Sequence, residues 1–241
     1  MPVRTPCILL AIVRFVKAAS HRIMHSGHGA YQDKAGPKEN AVYPPVTLQL
    51  PDWIVEEVDS AGAVFDSLEA RMAFVIRLAR RNVAEGGGPF GAAVFEIESG
   101  RLVAPGVNLV VPLSCSLAHA EAVAIAVAQR VCASYDLGAS HLPPMELVTS
   151  AQPCIQCYGN LWWSGLRRVV IGATKDDVEE LTGFAEGPLP DNWAARLTHR
   201  PPLRPIVVVR DVLRAQAREV LHNYREAGNL IYNPTGDPER G

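Results

Sequence analysis

Two short segments contain the residues most capable of chemistry, Ala118–Glu121 (AHAE) and Gln152–Cys157 (QPCIQC). One imidazole and two thiolates supply three zinc ligands, and tetrahedral zinc then keeps a fourth position open for water. Zinc lowers the pKa of its bound water to about 7, which gives a nucleophile at neutral pH. The glutamate, two residues after the histidine, is placed to carry protons to and from that water. The segments therefore predict a catalytic site with one Zn²⁺ per chain. Its ligands would be His119, Cys154 and Cys157, and its proton carrier Glu121.

A structural zinc site is the alternative, because a fourth protein ligand would close the open position. Cys115 lies close to the histidine in the sequence, and Cys132 lies farther along the same predicted helix. Both are more simply explained as small buried or tail thiols. We therefore expect three protein ligands.

The composition is that of a soluble globular protein. Of its 241 residues, 48% are hydrophobic and 20% are charged, and the formal net charge at pH 7 is −2. This charge gives no bulk attraction to nucleic acid or to an anionic membrane, and no segment is long enough for a transmembrane helix. Five cysteines, two of them in a C-x-x-C pair, fit a metal site in a reducing compartment better than a disulfide framework. We therefore expect a cytoplasmic protein with neither a membrane nor a nucleic-acid partner.

The sequence is expected to divide into an extension, one domain and a tail. Residues 1–60 are predicted to be a partly disordered N-terminal extension. Its apolar run Cys7–Val13 resembles the start of a signal peptide, but basic residues interrupt the run before any cleavage site. Residues 61–233 form the predicted catalytic domain, including a C-terminal segment at the active site. Residues 234–241 form a predicted disordered tail.

The residues before the histidine motif predict a helix and a hairpin. Apolar residues recur at helical spacing over 68–83, and a capping-box pattern places the start of the helix near Asp66. Phe90–Ile97 and Leu102–Val111 are rich in small and β-branched residues and are separated by a turn. They are predicted to be the first two strands.

The two segments that contain the predicted zinc ligands are expected at the starts of helices. Leu117–Tyr135 is rich in Ala, Val and Ile, so this helix should be buried on most of its faces. Met145–Ser150 is a predicted buried strand, and Pro153 after it suits the first position of a new helix. The two cysteines would then lie one turn apart on one face, near the positive end of the helix dipole, which favours thiolates.

The remaining elements complete an α/β pattern. They are strand Arg168–Ala173, a short acidic helix Asp176–Leu181, strand Ile206–Arg210 and a final helix Val212–Ala227. Strands joined through helices imply parallel pairing, with helices on both faces of one sheet. We therefore expect the fourth and fifth strands to be parallel.

The motifs resemble those of the cytidine deaminase superfamily, whose zinc enzymes contain H-x-E followed by P-C-x-x-C. Within it, residues 61–233 are similar to the bacterial guanine deaminases, including relatives that act on aminotriazines such as ammeline. The segments that support this resemblance are Gly87–Phe90, Val107–Asn108, Ala118–Glu121, Thr149–Ser150, Pro153–Cys157, Trp163–Gly165, Gly183–Pro188 and Ile231–Asn233. The resemblance implies a three-layer α-β-α fold, in which a mixed five-stranded sheet has its last strands parallel and helices on both faces.

The resemblance also implies how a flat substrate would be held. Asn108 would hydrogen-bond a purine carbonyl, Phe90 and Trp163 would wall the ring, and His119 would border it. The alternatives are core packing for the two aromatic residues and a turn or strand-end position for Asn108.

Two further roles follow from the resemblance. Glu186 would share proton transfer with Glu121, the alternative being a solvated loop acid. Tyr232 would help to close the active site, in a homodimer with swapped C-terminal elements.

The leading hypothesis is a zinc-dependent hydrolysis of guanine to xanthine and ammonia. Aminotriazines, a guanosine- or cytidine-type nucleoside and tRNA adenosine are alternative substrates, and a non-catalytic zinc scaffold is a further alternative. The acidic stretch Asp176–Glu180 argues against a polynucleotide substrate, and Glu121 argues against the scaffold. Many relatives have Glu before Pro-Cys, where this chain has Gln152. An amide both donates and accepts hydrogen bonds, so this residue bears on the ring preference.

Overall fold

The computed structural model describes residues 43–233, so most of the predicted extension and the predicted tail 234–241 lie outside the described residues. The chain divides into two units after Gln49. Of the first unit, residues 43–49 are described and form neither helix nor strand. The second unit begins at Leu50 and contains the elements described below.

Seven helices and five strands make up the described part of the second unit. The helices are α1 (Trp53–Ala61), α2 (Leu68–Ala84), α3 (Ala120–Val131), α4 (Ile155–Trp163), α5 (Lys175–Thr182), α6 (Trp193–Thr198) and α7 (Arg214–Glu226). The strands are β1 (Gly91–Glu96), β2 (Leu102–Val107), β3 (Met145–Ala151), β4 (Arg168–Ala173) and β5 (Val207–Val209).

The strands form one mixed sheet in the order β2-β1-β3-β4-β5. β1 is antiparallel to both β2 and β3. β3 pairs in parallel with β4, and β4 in parallel with β5. This arrangement confirms the predicted five-stranded sheet with parallel last strands.

Helices cover both faces of the sheet, as predicted. On one face α2 packs against β1 and β3, and α7 packs against α2, α5 and β4. On the other face α3 packs against β1 and β2 and contacts α4. There, the small side chains of α3 and apolar residues of α4 and α6 share one core with the sheet. The result is the expected three-layer α-β-α fold.

The bounds of several elements differ from the sequence prediction, and local structure accounts for three of these elements. The cap of α2 is Ser67, whose side chain accepts a hydrogen bond from the backbone of Ala70 at 3.0 Å. α3 is shorter at both ends than predicted, and Ala133 just beyond it takes a positive φ of 49°, which ends a right-handed helix. β2 ends at Val107, because residues 110–114 form turns instead of continuing the strand.

Close packing of α3 on β2 fixes the position of the histidine motif. A Cβ atom on Gly106 would lie 2.3 Å from the carbonyl oxygen of Ala120 and 2.5 Å from the nitrogen of Ala124. Only glycine therefore lets the first turns of α3 approach the strand this closely. This contact sets where α3 begins, and His119 is its N-cap residue.

Candidate zinc site and active-site cavity

The three predicted zinc ligands meet between the amino ends of two helices. His119 and Cys154 are the N-cap residues of α3 and α4, and Cys157 lies in the first turn of α4. The histidine Nδ1 lies 3.5 Å from the Cys154 Sγ and 3.6 Å from the Cys157 Sγ. All three potential ligand atoms lie within 4.8 Å of one another.

These distances fit a tetrahedral zinc ion. Zn–S and Zn–N bonds of usual length at a tetrahedral angle separate nitrogen and sulfur by about 3.6 Å, as observed. Neither Cys115 nor Cys132 joins the cluster found among residues 43–233. A structural site closed by one of those thiols is therefore not formed.

Cys154 is poised to be a thiolate. The adjacent Cys157 side chain lowers the pKa of Cys154 to about 4, and His119 adds to this effect, whereas the interaction with Cys154 and burial raise the pKa of Cys157. Thiolate is the form of cysteine that binds metals. The cluster thus presents ligand chemistry suited to zinc.

Glu121 lies directly beside the metal-ligand cluster. Its side chain is almost fully buried, with 6% exposed, and its Oε2 accepts a hydrogen bond from the Cys157 Sγ at 3.3 Å. Burial raises the pKa of this carboxyl, and the negative charge of Cys154 raises it further. This shift favours the protonated form of Glu121, which is the form that a proton carrier has after it takes a proton from water.

A cavity of about 290 Å³ opens over the cluster. Seven of the nine predicted site residues line it. They are Phe90, Asn108, His119, Glu121, Cys154, Glu186 and Tyr232. Cys157 is buried behind the wall of the cavity, and Trp163 lies elsewhere.

An aromatic cluster forms one wall of the cavity. The rings of Phe90 and Phe184 have centroids 5.5 Å apart, and those of Phe184 and Tyr232 are 4.7 Å apart. Such a wall suits a flat ring, which would gain stacking and edge contacts.

Asn108 presents an amide at the cavity and is itself held in place. It is buried, and its Oδ1 accepts a hydrogen bond from the backbone of Val110 at 3.3 Å. Its own backbone N–H donates to the Phe90 carbonyl at 3.1 Å. With Oδ1 engaged, the Nδ2 group is available to donate to a ligand.

Glu186 enters the cavity from the loop after α5. Its backbone N–H donates to Glu179 Oε1 at 3.3 Å, and its carbonyl accepts from the Ile155 N–H at 3.1 Å. Burial raises the pKa of the Glu186 carboxyl to about 8, with further contributions from the charges of Cys154 and Glu121. The structure thus brings a second carboxyl with a raised pKa to the same cavity.

Tyr232 reaches the cavity from the far end of the described chain. Asn233 fixes this segment, since it accepts from the Ala185 N–H at 3.0 Å and donates to the Gly183 carbonyl at 2.8 Å. The Tyr232 hydroxyl is buried without a hydrogen-bond partner among the described residues, and burial raises its pKa. A buried hydroxyl in this state is suited to bonding a ligand.

Trp163 does not wall the ring, contrary to the prediction. It is the last residue of α4, its exposed fraction is 77%, and it is absent from the cavity lining. Six residues after Cys157, it lies about two-thirds of a turn around the helix from that ligand. The helix therefore directs it to the protein surface.

Several lining residues had no role assigned from the sequence. They include Val110, Ser116, Ile155 and Phe184. Ile155 lies between the two cysteines, which is the signal that could have identified it. Gln152 also lines the cavity, and its Oε1 accepts a long hydrogen bond from the Lys175 N–H at 3.5 Å.

Comparison with known proteins identifies related sequences. Residues 66–173 match the family described as cytidine and deoxycytidylate deaminase zinc-binding region. The chain is 38% identical over 98 residues to a guanine deaminase of Bacillus subtilis, covering 41% of this chain and 58% of that protein. It is 27% identical over 107 residues to a probable cytosine deaminase of Schizosaccharomyces pombe, covering 44% of this chain and 60% of that one. The matches thus span less than two thirds of these curated relatives.

Solved structures extend the similarity over most of the described chain. A guanine deaminase from Nitrosomonas europaea is 44% identical with a TM-score of 0.70, and the match covers 76% of this chain and 97% of that one. Another solved structure, a complex with 2,6-diaminopurine, is 45% identical with a TM-score of 0.70, covering 78% and 97%. Among residues 43–233, none of the helices combines the length and apolarity needed to cross a membrane.

Proposed function

This chain belongs to the guanine deaminase family of the cytidine deaminase superfamily, and we propose on that premise that it hydrolyses guanine to xanthine and ammonia. The observation that carries the proposal is that Glu121 and Glu186 line one cavity of about 290 Å³ together with two of the three clustered metal ligands. That cavity is at the small end of ligand pockets, which favours a free base over a nucleoside or a polynucleotide.

His119, Cys154 and Cys157 would hold the zinc ion. When bound there, zinc supplies a water with a pKa near 7 and so a nucleophile at neutral pH. The protein's own contribution is to keep that site in a buried cavity between two helix amino ends, where electrostatic interactions are strong.

The two carboxyls divide the proton transfers. Glu121 takes a proton from the attacking water and gives it to the ring nitrogen beside the reacting carbon. The new carbon–oxygen bond forms first and makes the reacting carbon tetrahedral. Glu186 then gives its proton to the amine as the carbon–nitrogen bond breaks and ammonia leaves, and the remaining hydroxyl proton of the former water returns to Glu186 as the carbonyl forms. The pKa of Glu186, raised to about 8, lets this carboxyl hold a proton at neutral pH, and burial shifts the pKa of Glu121 in the same direction.

The remaining walls orient the ring. The Asn108 amide donates a hydrogen bond to the purine carbonyl, and Phe90 packs on the ring with the Phe184 and Tyr232 cluster behind it. An aminotriazine is the second candidate substrate. Gln152 lines the cavity with a neutral amide, where many relatives have a carboxylate.

A homodimer is the proposed assembly, and an outward stripe on α4 supports it. The stripe contains Ile155, Gly159 and Trp163, spaced four residues apart on one face, and its two large side chains are 50% and 77% exposed. A Cβ on Gly159 would meet nothing within 4 Å. A glycine inside a helix costs about 1 kcal/mol relative to alanine, and close approach of a second copy would account for it.

Further proposals concern the location and the domain. The site requires reduced Cys154 and Cys157, so we propose the cytoplasm as its compartment. We also propose residues 61–233 as the catalytic domain. Helix α1 ends at Ala61, where the proposed domain begins, and its Ile54 and Val58 are buried.

An ammonia-release screen tests the function. Purified protein is assayed with guanine, guanosine, adenine, cytosine, cytidine, ammeline and tRNA, and the oxo product is identified by ultraviolet absorbance. Guanine should give the highest kcat/KM and yield xanthine. Faster release from ammeline would identify the aminotriazine candidate, and release from tRNA adenosine alone would overturn the proposal.

A further inference from the structure

Asn82 is a buried amide outside the cavity that links two cavity-lining segments. It lies in the last turn of α2 and is 2% exposed. Its Nδ2 donates to the Gly88 carbonyl at 2.9 Å and to the Asn108 carbonyl at 2.8 Å. An amide nitrogen has two hydrogens, so one side chain can make both bonds.

The link closes one end of the β1–β2 hairpin. Gly88 precedes β1 and Asn108 follows β2, and the backbone of Asn108 also bonds the Phe90 carbonyl at 3.1 Å. Phe90 and Asn108 are therefore parts of one hydrogen-bonded unit that Asn82 attaches to α2.

The space around this link is tightly filled. A Cβ on Gly87 would lie 2.3 Å from the Asn82 Nδ2, and one on Gly88 would lie 2.8 Å from the Asn108 Oδ1. Gly87 does not have a left-handed φ, so its backbone conformation would accept an alanine. The alanine Cβ would instead clash with the Asn82 amide. The glycine pair thus makes room for the link.

We propose that Asn82 is a positioning residue that fixes the Asn108 amide where it meets the carbonyl of the substrate ring. The inference rests on the proposed function, because that function supplies a ring with a carbonyl. Without the two hydrogen bonds, the backbone of Asn108 loses its attachment to α2. The Asn108 Nδ2 group is then no longer held in a single orientation in the cavity. Recognition of the carbonyl should then weaken more than binding of the ring.

The experiment compares two ligands in the zinc-loaded enzyme. Guanine carries the carbonyl and 2-aminopurine lacks it, so KM for guanine and the inhibition constant for 2-aminopurine are measured in parallel. Neither constant depends on the fraction of correctly folded protein. Asn82→Leu removes both donors, and Gly87→Ala displaces the amide without removing it. Ser67→Ala is the control, because it weakens the opposite end of α2, where the cap accepts from Ala70.

Asn82→Leu and Gly87→Ala should each raise KM for guanine about five- to tenfold, as expected for one lost hydrogen bond. The constant for 2-aminopurine should change less than about twofold, and Ser67→Ala should alter neither constant. If Asn82→Leu does not fold, Gly87→Ala tests the same link. Equal weakening of both ligands, or no change in either, would overturn the positioning role while leaving the proposed function intact. Absence of guanine hydrolysis by the unaltered protein would overturn the proposed function and this inference with it.

Discussion

Replacing Glu186 by glutamine is expected to slow the reaction and, at alkaline pH, to stabilise the protein. Burial raises the pKa of the Glu186 carboxyl to about 8, and the charges of Cys154 and Glu121 contribute to the rise. Below that pH the folded protein keeps this carboxyl protonated, and an amide resembles it closely. Above that pH the folded protein must contain a poorly solvated carboxylate, which the amide avoids.

The sign follows from comparing the folded and unfolded chains. The unfolded carboxyl has a pKa near 4.5, so its ionisation stabilises the unfolded state at every pH above that value. Stability linked to Glu186 is therefore complete below pH 4.5, declines as the pH rises, and is lost above about 8. Between pH 5 and pH 9 the loss of unfolding free energy linked to Glu186 amounts to at most about 4 kcal/mol. Because the side chain is partly exposed, we expect about 1–2 kcal/mol.

The assay is urea unfolding of chelator-treated protein at pH 5 and pH 9, since a bound cation would lower the carboxyl pKa. The stability of Glu186→Gln relative to the unaltered protein should increase by that amount between the two pH values. Glu180→Gln removes an exposed carboxyl on α5 and should show no such increase. In zinc-loaded protein, kcat of Glu186→Gln should fall about 10²-fold or more. A pH-independent stability difference would refute the burial argument, and an unchanged kcat would refute the proton-transfer role.

Three further predictions concern the metal, the first carboxyl and the assembly. Purified protein should contain about one zinc per chain, and Cys157→Ser should lose metal and ammonia release together; activity that survives chelation would contradict zinc chemistry. Glu121→Gln should retain zinc by metal analysis while its kcat falls about 10²- to 10⁴-fold, and near-normal turnover would exclude Glu121 from proton transfer. In light scattering the unaltered protein should have the mass of a dimer and Gly159→Leu that of a monomer, because the leucine side chain would occupy the exposed face of α4; a monomeric unaltered protein would refute the proposed dimer, and a dimeric variant would place the interface elsewhere.

Sequence patterns were sufficient to predict those parts of the site and the sheet whose geometry depends on residues close in the sequence. Each zinc ligand lies at the start of a helix, and helix starts depend on neighbouring residues. The spacing of Cys154 and Cys157 within α4 follows directly from helical geometry. The residue range of β4 was likewise predicted correctly, because a short apolar run that begins at a basic residue and ends at a helix N-cap, Thr174, has few alternatives.

Features that depend on contacts between distant parts of the chain could not be predicted from local sequence patterns. The exposure of Trp163 depends on which side of α4 packs on α3, which composition does not reveal. Helix α6 was missed, because six residues are too few to show a periodic pattern and the side chain of its cap, Asn192, makes no capping hydrogen bond. The bond from Asn82 to Asn108 joins residues 26 positions apart, and no local pattern indicates it.

The Glu186 loop and the segment ending at Asn233 lie beyond the matched zinc-binding region, residues 66–173, yet both line its cavity. The first part therefore supplies the metal ligands, Glu121, Phe90 and Asn108, and the later part adds the second carboxyl, Phe184 and Tyr232. A protein similar only over the first part would keep the zinc ligands and Glu121 but would need its own second carboxyl and its own outer wall for the ring. The loops of the later part can vary without disturbing the zinc ligands, so we expect them to be one place where ring preference changes during divergence.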